Sequence, residues 1–362
     1  MPRILFVAAH RPGRSPSQRF RFEQYLGLIE SAGYEYDYSW LIEEKDDAVF
    51  YSPGNLRRKT SMFVRSWCKR LRDVLQAGRY DIIFIQREAF MTGSVLFERM
   101  FSKSGAKVVF DFDDAIWHFD ISEANKRLSW LKRPSKTKDI IALSDAVIAG
   151  NAYLADFAST YNRNVTIIPT TIDTGYHRPD QARPLRPAQV CIGWTGSMTT
   201  VKHFRTIEPA LLQLRARYSD SIRFKLIGDP GYANEKLGLQ GIPWKIESEV
   251  ADLSDIDIGI MPLPDDEWAK GKCGFKGLQY MAMQVPAVLS PVGVNTSIVT
   301  HGETGFLADT EEQWLDVLSY LIENPEIRQH VGQAARQVIV DRFSVQSQWP
   351  VYRSLLERLV SG

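Results

Sequence analysis

The chain has 362 residues, of which 44% are hydrophobic and 24% are charged, and its net charge is +1. This length suits two domains, the composition is typical of a folded globular protein, and the near-neutral charge argues against nucleic acid as a partner. The three cysteines, Cys68, Cys191 and Cys273, form neither a metal-binding spacing nor an even-numbered disulfide framework, which favours a reducing compartment. The apolar stretch at the N-terminus is too short for a signal peptide, and no stretch reaches the roughly 18 apolar residues of a membrane-spanning helix. We therefore expect a cytoplasmic protein.

Short apolar runs alternate with longer segments along the whole chain. A first series of runs predicts β-strands at 3–9, 80–86, 107–112, 145–150 and 165–169. A second series predicts β-strands at 190–196, 222–228, 256–262 and 286–291. Because such alternation is typical of parallel sheets with helical crossovers, the sequence predicts two α/β domains.

A segment rich in proline and charge, residues 173–190, separates the two series and predicts a linker. We expect an N-terminal domain at 1–180, a C-terminal domain at 181–340 and a final amphipathic helix within 341–362. Ligands of parallel α/β sheets bind at the carboxyl ends of the strands, so the loops after the strands are candidate site segments. Two such rims facing each other would make an interdomain cleft.

Residues 55–75 combine seven basic residues with apolar ones that include Phe63, Val64 and Trp67. A basic amphipathic helix can lie on an anionic membrane, and this is one hypothesis for the segment. The alternative is a core helix with a basic outer face. Residues 125–136 repeat the mixture more weakly. The two segments leave open a membrane-bound or lipid-linked acceptor and a peripheral location at the inner membrane face.

The motif VVFDFDDAIW places Asp111 and Asp113 at the end of a predicted strand. This is the pattern of haloacid-dehalogenase-type phosphatases, in which the first aspartate is a nucleophile and the pair binds magnesium. That pattern has threonine or valine two places after the second aspartate, where this chain carries Asp114 and Ala115. A phosphate hydrolase is therefore the less favoured function. A further alternative is that the acidic cluster caps a helix that begins at AIW.

Five motifs of the second half occur in a characteristic order: GWTGS, DIGIMPL, KGKCGFKGLQYMA, SPVGVNTSIV and GETGFLAD. In this order they resemble the nucleotide-sugar glycosyltransferases of family four. The resemblance spans nearly the whole chain, more loosely in the first half, and is strong at residues 190–310. It implies the GT-B fold, two Rossmann-like domains facing across a cleft. It also implies a donor-binding C-terminal domain, an acceptor-binding N-terminal domain, a last helix that returns to the first domain, and transfer with retention at the anomeric carbon.

The chain departs from this family at two positions. Most members carry two glutamates eight positions apart at the donor site, and Gly271 and Gln279 stand in their places. A glutamine amide accepts and donates hydrogen bonds, so Gln279 would still hold a ribose, more weakly than a carboxylate; glutamate at 279 is expected to tighten binding. Backbone N–H groups of the KCGF loop would replace the first glutamate. The missing carboxylates also leave open a catalytically weak protein that binds a sugar nucleotide or a glycan.

A nucleoside-diphosphate leaving group gains negative charge as the glycosidic bond breaks, and without a metal this charge needs cations and N–H donors. Lys276 at the start of a predicted helix meets that need, which makes it a catalytic candidate; the alternative is a surface lysine beside a solvated glutamine. No cofactor and no metal are expected, because the UDP- or GDP-linked sugar is itself the substrate. The candidate donor-binding residues are Gly196, Ser197, Lys202, Ile246, Glu247, Lys272, Gly274, Phe275, Lys276, Gly277 and Gln279.

Asp113 falls where many members of the family carry an acceptor-side histidine, so the resemblance implies that it accepts a hydroxyl proton or orients the acceptor. This makes Asp113 the second catalytic candidate. Arg19 and Arg21 follow a glycine-containing loop and would meet an anionic group, or else are solvated on a helix. Arg87 would contact the acceptor or pair with Glu88 at the surface. The candidate acceptor-binding residues are Gly13, Arg19, Arg87, Asp113 and Asp114.

Overall fold

The computed structural model describes residues 1–50, 54–118, 133–179 and 189–361. Contacts between Cα atoms divide the chain into two compact units. Unit 1 comprises Met1–Thr170 and Gln348–Gly362, and unit 2 comprises Thr171–Ser347. The chain passes from unit 1 to unit 2 after residue 170 and back to unit 1 after residue 347. The sequence pattern predicts these boundaries after residues 180 and 340.

Unit 1 is built on a six-stranded sheet in the order β2-β1-β3-β4-β5-β6, in which every neighbouring pair is parallel. The strands are β1 (Arg3–Val7), β2 (Glu35–Ser39), β3 (Ile82–Gln86), β4 (Lys107–Phe112), β5 (Ala146–Ala149) and β6 (Val165–Ile167). The sequence predicts all of them except β2. This strand lies at the sheet edge, and its sequence EYDYS is half polar because it is partly exposed.

Helices connect these strands as crossovers and cover the sheet. They are α1 (Pro16–Arg19), α2 (Leu26–Ser31), α3 (Asp47–Phe50), α4 (Leu56–Leu75), α5 (Leu96–Phe101), α6 (Lys136–Leu143) and α7 (Ala152–Ser159). All five residues of β3 are buried, as expected of a parallel strand covered on both faces. Phe6 stacks on Phe22 with ring centroids 4.8 Å apart and contacts Phe84 at 5.1 Å, which packs the sheet against the segment after α1.

Unit 2 contains a five-stranded sheet in the order β13-β12-β11-β7-β8, again with parallel neighbours, and a short antiparallel hairpin. Its strands are β7 (Val190–Thr195), β8 (Ile222–Ile227), the hairpin strands β9 (Ala233–Asn234) and β10 (Leu239–Gln240), β11 (Ile258–Met261), β12 (Ala287–Leu289) and β13 (Phe306–Leu307). The four predicted strands of this half are confirmed as β7, β8, β11 and β12. The sequence does not predict the three two-residue strands, which are too short to show a pattern.

The core of unit 2 contains the buried rings of Trp194, Phe204 and Trp314. Helices cover the second sheet as well. These helices are α8 (Val201–Arg205), α9 (Glu208–Tyr218), α10 (Glu249–Ser254), α11 (Glu267–Lys270), α12 (Phe275–Ala282), α13 (Asn295–Ile298), α14 (Glu311–Glu323) and α15 (Pro325–Val338), with a π-helical turn at Ile339–Phe343.

The first half of the predicted linker packs within unit 2. His177 is buried, and Arg336 donates hydrogen bonds to the carbonyl oxygens of His177 at 2.9 Å and Thr174 at 3.2 Å. Residues 180–188 of the predicted linker lie outside the described residues. The described part of the predicted linker, residues 173–179, therefore belongs to unit 2.

The last helix, α16 (Val345–Ser361), supplies the C-terminal part of unit 1. Tyr352 is buried, and its ring stacks on Tyr25 with centroids 4.6 Å apart. This contact joins the end of the chain to the segment before α2. The family resemblance implies that a last helix within 341–362 returns to the first domain. In the structure, residues from Gln348 onward belong to unit 1.

Candidate functional site

The parallel strands of unit 2 end at one edge, where two glycines meet. The N–H of Gly196, directly after β7, donates to the carbonyl oxygen of Ile227 at 2.9 Å. Gly228, directly after β8, has φ +110°, and a Cβ there would lie 1.7 Å from the carbonyl oxygen of Gly196. A Cβ on Gly196 would in turn lie 2.3 Å from the ring of Trp194. The two backbones approach so closely that neither glycine tolerates a side chain.

The loop after Gly196 is held by its own hydroxyl groups. The N–H of Ser197 donates to Oγ1 of Thr200 at 3.0 Å, and Oγ of Ser197 lies 2.9 Å from Oγ1 of Thr199. Lys202 follows on α8, with its side chain exposed. The loop thus places an ammonium group and exposed hydroxyl groups beside the sheet edge.

Helix α12 begins at the same edge, because it follows β11 along the chain. Gly274 precedes it with φ +68°, and a Cβ there would lie 2.1 Å from Cδ1 of Ile298, so both conformation and space require glycine. Gly274 has no side chain of its own at this N-terminus, whose partial positive charge favours anions. A Cβ on Gly277 would lie 3.1 Å from Leu289, and this glycine lets the helix pack closely on β12. Phe275 and Lys276 are half-buried in the first turn.

Three lysines create a positive region beside this helix. Nζ of Lys276 lies 5.6 Å from the ring centroid of Trp194. Burial lowers the pKa of His203 on α8 to about 4, and the charges of three lysines add to this effect. They are Lys276, Lys202 and Lys272. Because the three charges act on the same imidazole, the lysines assigned to the donor by the sequence lie in one region of unit 2.

Gln279 is 3% exposed and belongs to a buried polar cluster, so it is not a solvated helix residue. Its Nε2 donates to Oε1 of Glu249 at 3.2 Å, and Nε1 of Trp244 donates to the same oxygen at 3.1 Å. His177 completes the cluster: its Nε2 lies 3.4 Å from Nε2 of Gln279 and 3.6 Å from Oε2 of Glu249. Glu249 and His177 are missing from the sequence-based candidates. Glu249 lies in the segment PWKIESEV. The only sequence feature that could have indicated it is an acidic residue at the start of a helix.

Ile246 and Glu247 lie on the segment between Trp244 and Glu249 and have exposed side chains. The carbonyl oxygen of Ile246 accepts a hydrogen bond from the hydroxyl of Tyr176 at 3.1 Å. These two candidates therefore share a segment with the buried cluster. Gly271, at the place of the family's first glutamate, ends α11 with φ −75°, and its neighbour Lys272 places Nζ 4.2 Å from the ring centroid of Trp268.

The acidic motif of unit 1 forms an ion pair at the end of β4. Nε of Arg87 donates to Oδ1 of Asp113 at 2.8 Å, and Nη2 of Arg87 lies 3.6 Å from Oδ2 of Asp114. Three acceptor candidates are thus brought together. Arg87 does not pair with Glu88, which binds Lys136 at 3.1 Å instead. Residues 115–118 form a turn, so no helix begins at AIW within the described residues.

The other two acceptor candidates lie near the loop after β1. Gly13 has φ +74°, and its N–H donates to Oε2 of Glu23 at 2.8 Å. Arg19 ends α1 and packs its guanidinium 4.9 Å from the ring centroid of Phe20. Gln18, missing from the candidates, is buried and bonds both backbone groups of His10. Gln18 and Glu23 therefore fix the conformation of this loop.

Asp111 is not placed as a phosphatase nucleophile. Its carboxylate is 1% exposed and forms an ion pair with the guanidinium of Arg21 at 2.5 Å. A nucleophile must reach its substrate, and a carboxylate enclosed by a buried arginine cannot do so. The phosphate hydrolase alternative therefore has no geometric support. Arg21 is correspondingly not a solvated arginine.

Helix α4 combines a buried face with an exposed apolar one. Arg70 is fully buried and donates to the carbonyl oxygens of Ala89 and Ala8, while Trp67 packs on Phe97 with centroids 4.7 Å apart. Other apolar side chains of α4 are exposed and lie near basic ones along the helix. They are Leu56, Phe63, Val64, Leu71 and Leu75. The ring of Phe63 also contacts the buried ring of Phe90, with centroids 5.1 Å apart.

The buried face of α4 agrees with the interpretation of residues 55–75 as a core helix with a basic outer face. Binding of this helix to a membrane stays a prediction. Most of the weaker segment 125–136 lies outside the described residues. Among the helices that the structure describes, none is long and apolar enough to cross a membrane.

Residues 189–324 match the family described as Glycosyl transferases group 1. This match covers most of unit 2, including all the residues of the positive region and most of the buried cluster. Comparison with curated proteins gave no match.

Solved structures resemble the whole chain in fold. HepE of Anabaena, solved with UDP and glucose, is 14% identical with a TM-score of 0.66, over 98% of this chain and 99% of that one. Sucrose-phosphate synthase from Thermosynechococcus elongatus is 15% identical with a TM-score of 0.66, over 99% of this chain and 100% of that one. A glycosyltransferase from Rickettsia africae is 14% identical with a TM-score of 0.63, over 99% and 98%.

Two parallel-sheet α/β units and these likenesses confirm the expected GT-B fold with two Rossmann-like domains. Together with the group 1 match in unit 2, they identify the chain as a glycosyltransferase enzyme.

Proposed function

We propose that this glycosyltransferase uses a nucleoside-diphosphate sugar, UDP- or GDP-linked, as the donor, and that unit 2 binds it. The observation that carries the proposal is the position of Lys276 in the first turn of α12, in the region where the charges of Lys276, Lys202 and Lys272 all act on His203. Cations and oriented N–H groups stabilise the charge that a diphosphate gains as it leaves. The structures of HepE with UDP and with UDP-glucose support a donor of this kind.

Within this site Lys276 is the residue that we expect to act on the leaving group. It combines an ammonium with the positive end of α12, and its half-buried position strengthens the attraction to phosphate. Lys202 and Lys272 add positive charge to this region. Gln279 would accept a hydrogen bond from a ribose hydroxyl, and the segment with Ile246 and Glu247 would contact the base.

In the proposed reaction the acceptor oxygen forms a bond to the anomeric carbon and loses its proton, while the nucleoside diphosphate leaves with the bonding electrons. We propose that the transfer retains the anomeric configuration and that the chain is a family-four enzyme. The order of the motifs from GWTGS to GETGFLAD supports this assignment. No metal enters the proposal, because the three lysines supply the positive charge.

We assign the acceptor to residues of unit 1. Asp113 would orient the acceptor hydroxyl or take its proton, and the ion pair with Arg87 fixes its carboxylate. Asp114, Gly13 and Arg19 are the further acceptor-binding candidates. The acceptor class that we propose is a glycan, a lipid-linked saccharide or a small hydroxyl compound, as in polysaccharide biosynthesis.

We further propose that the enzyme works in the cytoplasm, peripherally on an anionic membrane surface, and that α4 makes the contact. The exposed side chains of Val64, Leu71 and Leu75 recur at helical spacing along α4, with Arg57 and Arg72 also exposed. Apolar residues flanked by basic ones bind anionic interfaces through burial and charge together. A lipid-linked acceptor would be presented at such a surface.

The proposed function is tested by incubating the chain with labelled UDP- and GDP-sugars, with and without candidate acceptors. We expect release of one nucleoside diphosphate and transfer of its sugar, and the product's anomeric signal reports retention or inversion. Binding without any turnover would instead favour the sugar-nucleotide-binding alternative. Failure to bind any nucleotide would overturn the proposal.

A further inference from the structure

The buried cluster around Gln279 contains a carboxylate whose role the proposed reaction does not explain. Glu249 is 4% exposed and is the first residue of α10. A buried carboxylate costs free energy unless several donors satisfy it. The donors here come from two other segments of unit 2, Trp244 before α10 and Gln279 on α12.

The hydrogen bonds of Glu249 fix the orientation of the amide at position 279. An ionised carboxylate only accepts hydrogen bonds, and the indole N–H of Trp244 only donates. The amide of Gln279 must therefore direct its NH₂ group to Oε1 of Glu249, at 3.2 Å. Its carbonyl oxygen consequently points away from this carboxylate and keeps its capacity to accept.

We propose that Glu249 is a positioning residue for the nucleotide's ribose: it holds Gln279 so that the carbonyl oxygen accepts a ribose hydroxyl. This inference rests on the proposed donor site in unit 2. Ribose hydroxyls donate, so the site needs an acceptor at residue 279. Glu249 and Gln279 together carry one negative charge, which is the charge that a glutamate at 279 would carry alone.

This arrangement reverses one expectation from the sequence. Glutamate at 279 was expected to tighten nucleotide binding, but it would place a second carboxylate about 3.2 Å from that of Glu249. Two carboxylates at such a distance cannot both ionise at low cost. Gln279→Glu should therefore weaken binding unless Glu249 is also changed.

The test uses three variants: Glu249→Leu, Gln279→Glu and the double variant Glu249→Gln/Gln279→Glu, which exchanges the two groups. Exposed Glu235→Leu in the same unit is the matched control. Calorimetry measures the Kd for UDP or GDP, whichever the parent binds more tightly, and for the 2′,3′-dideoxy form of that nucleotide. The ratio of the two Kd values reports the contacts to the ribose hydroxyls, which a purely structural role would leave unchanged.

We expect the parent and the control to prefer the natural nucleotide by about two- to tenfold, as for one neutral hydrogen bond. Glu249→Leu should bring this ratio close to one, because leucine has no acceptor to hold the NH₂ group of Gln279. Gln279→Glu should weaken binding about tenfold, and the double variant should recover most of it.

An unchanged ratio in Glu249→Leu would overturn the inference, and so would a double variant no better than Gln279→Glu. Because Glu249→Leu leaves Gln279 in place, its ratio keeps the test decisive if Gln279→Glu fails to fold. A parent that binds neither nucleotide overturns the proposed function and this inference with it. A parent that binds and ignores the ribose hydroxyls overturns the inference alone.

Discussion

Arg21 and Asp111 form a fully buried ion pair in unit 1. Nη2 of Arg21 lies 2.5 Å from Oδ1 of Asp111, and both side chains are 1% exposed. Nη1 of Arg21 also donates to the carbonyl oxygen of Ile168 at 2.5 Å. The guanidinium therefore connects the segment after α1 to the end of β4 and to the residue that follows β6.

We expect Asp111→Ala to lower the free energy of unfolding by about 3–5 kcal/mol, because it leaves the guanidinium of Arg21 buried and unpaired. The double variant Arg21→Met/Asp111→Leu should be less destabilised than Asp111→Ala, since both charges are gone. Urea unfolding followed by circular dichroism measures both effects. Loss of turnover in Asp111→Ala with unchanged stability would contradict the structural role and revive a chemical one.

Lys276→Ala should weaken the binding of UDP or GDP by about 1.5–3 kcal/mol, the range for a hydrogen bond to a charged group. Turnover should fall further if the charge on the leaving group grows in the transition state. Lys236→Ala, which removes an exposed lysine of the same unit, is the control and should bind as the parent does. Calorimetry decides, and equal affinity of Lys276→Ala and parent would remove Lys276 from the diphosphate site.

The strands of both sheets were predictable because most of them are buried on both faces and read as apolar runs. IIFIQ of β3 and VCIGWT of β7 are examples, and they are almost entirely buried. The strand β2, with the sequence EYDYS, was not predicted, because an edge strand leaves part of its residues exposed to water and shows no apolar run. Lys276 and Gln279 are three residues apart on α12, and this local spacing places them on the same side of the helix.

The partners of these residues were not predictable, because they come from distant parts of the chain. Glu249 and His177 lie 30 and 102 residues from Gln279, and Asp111 lies 90 residues from Arg21. Spacing rules describe neighbours along one helix or strand and contain no information on such pairs. The sequence therefore indicated the donor segment but could not distinguish a solvated Gln279 from a buried one.

Asp113→Asn should lower turnover about 10²-fold or more while the affinity for the nucleotide is unchanged, if Asp113 orients or deprotonates the acceptor. Asparagine can still accept a hydrogen bond from Arg87, so the fold should be retained. Kinetics with a working acceptor and calorimetry with the nucleotide measure the two effects separately. A folded variant with full turnover would exclude Asp113 from the reaction.

The chain should bind anionic vesicles weakly, and salt should weaken the binding further, because each basic residue near such a surface contributes about 1 kcal/mol. Arg57→Glu/Arg58→Glu should reduce binding, and Leu71→Ser/Leu75→Ser should reduce it by removing exposed apolar side chains. Sedimentation with phosphatidylglycerol vesicles at low salt measures this, with phosphatidylcholine vesicles as the control. Equal binding to both vesicle types would count against a membrane role for α4.

The pKa of His203 should report on the bound nucleotide. Burial and the nearby lysine charges lower this pKa from 6.5 to about 4, and Asp266 opposes the shift. Between these two values the unfolded chain binds a proton that the folded chain does not, so the contribution of His203 to the free energy of unfolding decreases as the pH falls. A diphosphate held by Lys276, Lys202 and Lys272 would offset their charges and raise the pKa.

NMR titration of the imidazole Cε1 protons, with and without saturating UDP or GDP, measures this shift. The chain has six histidines, and the spectrum of His203→Leu identifies the signal of His203. This variant also separates it from His10, whose pKa burial likewise lowers to about 4. By linkage, a nucleotide that raises the pKa of His203 binds more tightly as the pH falls from about 6.5 toward 4. If the nucleotide binds and this pKa does not rise, the three lysines do not hold the diphosphate.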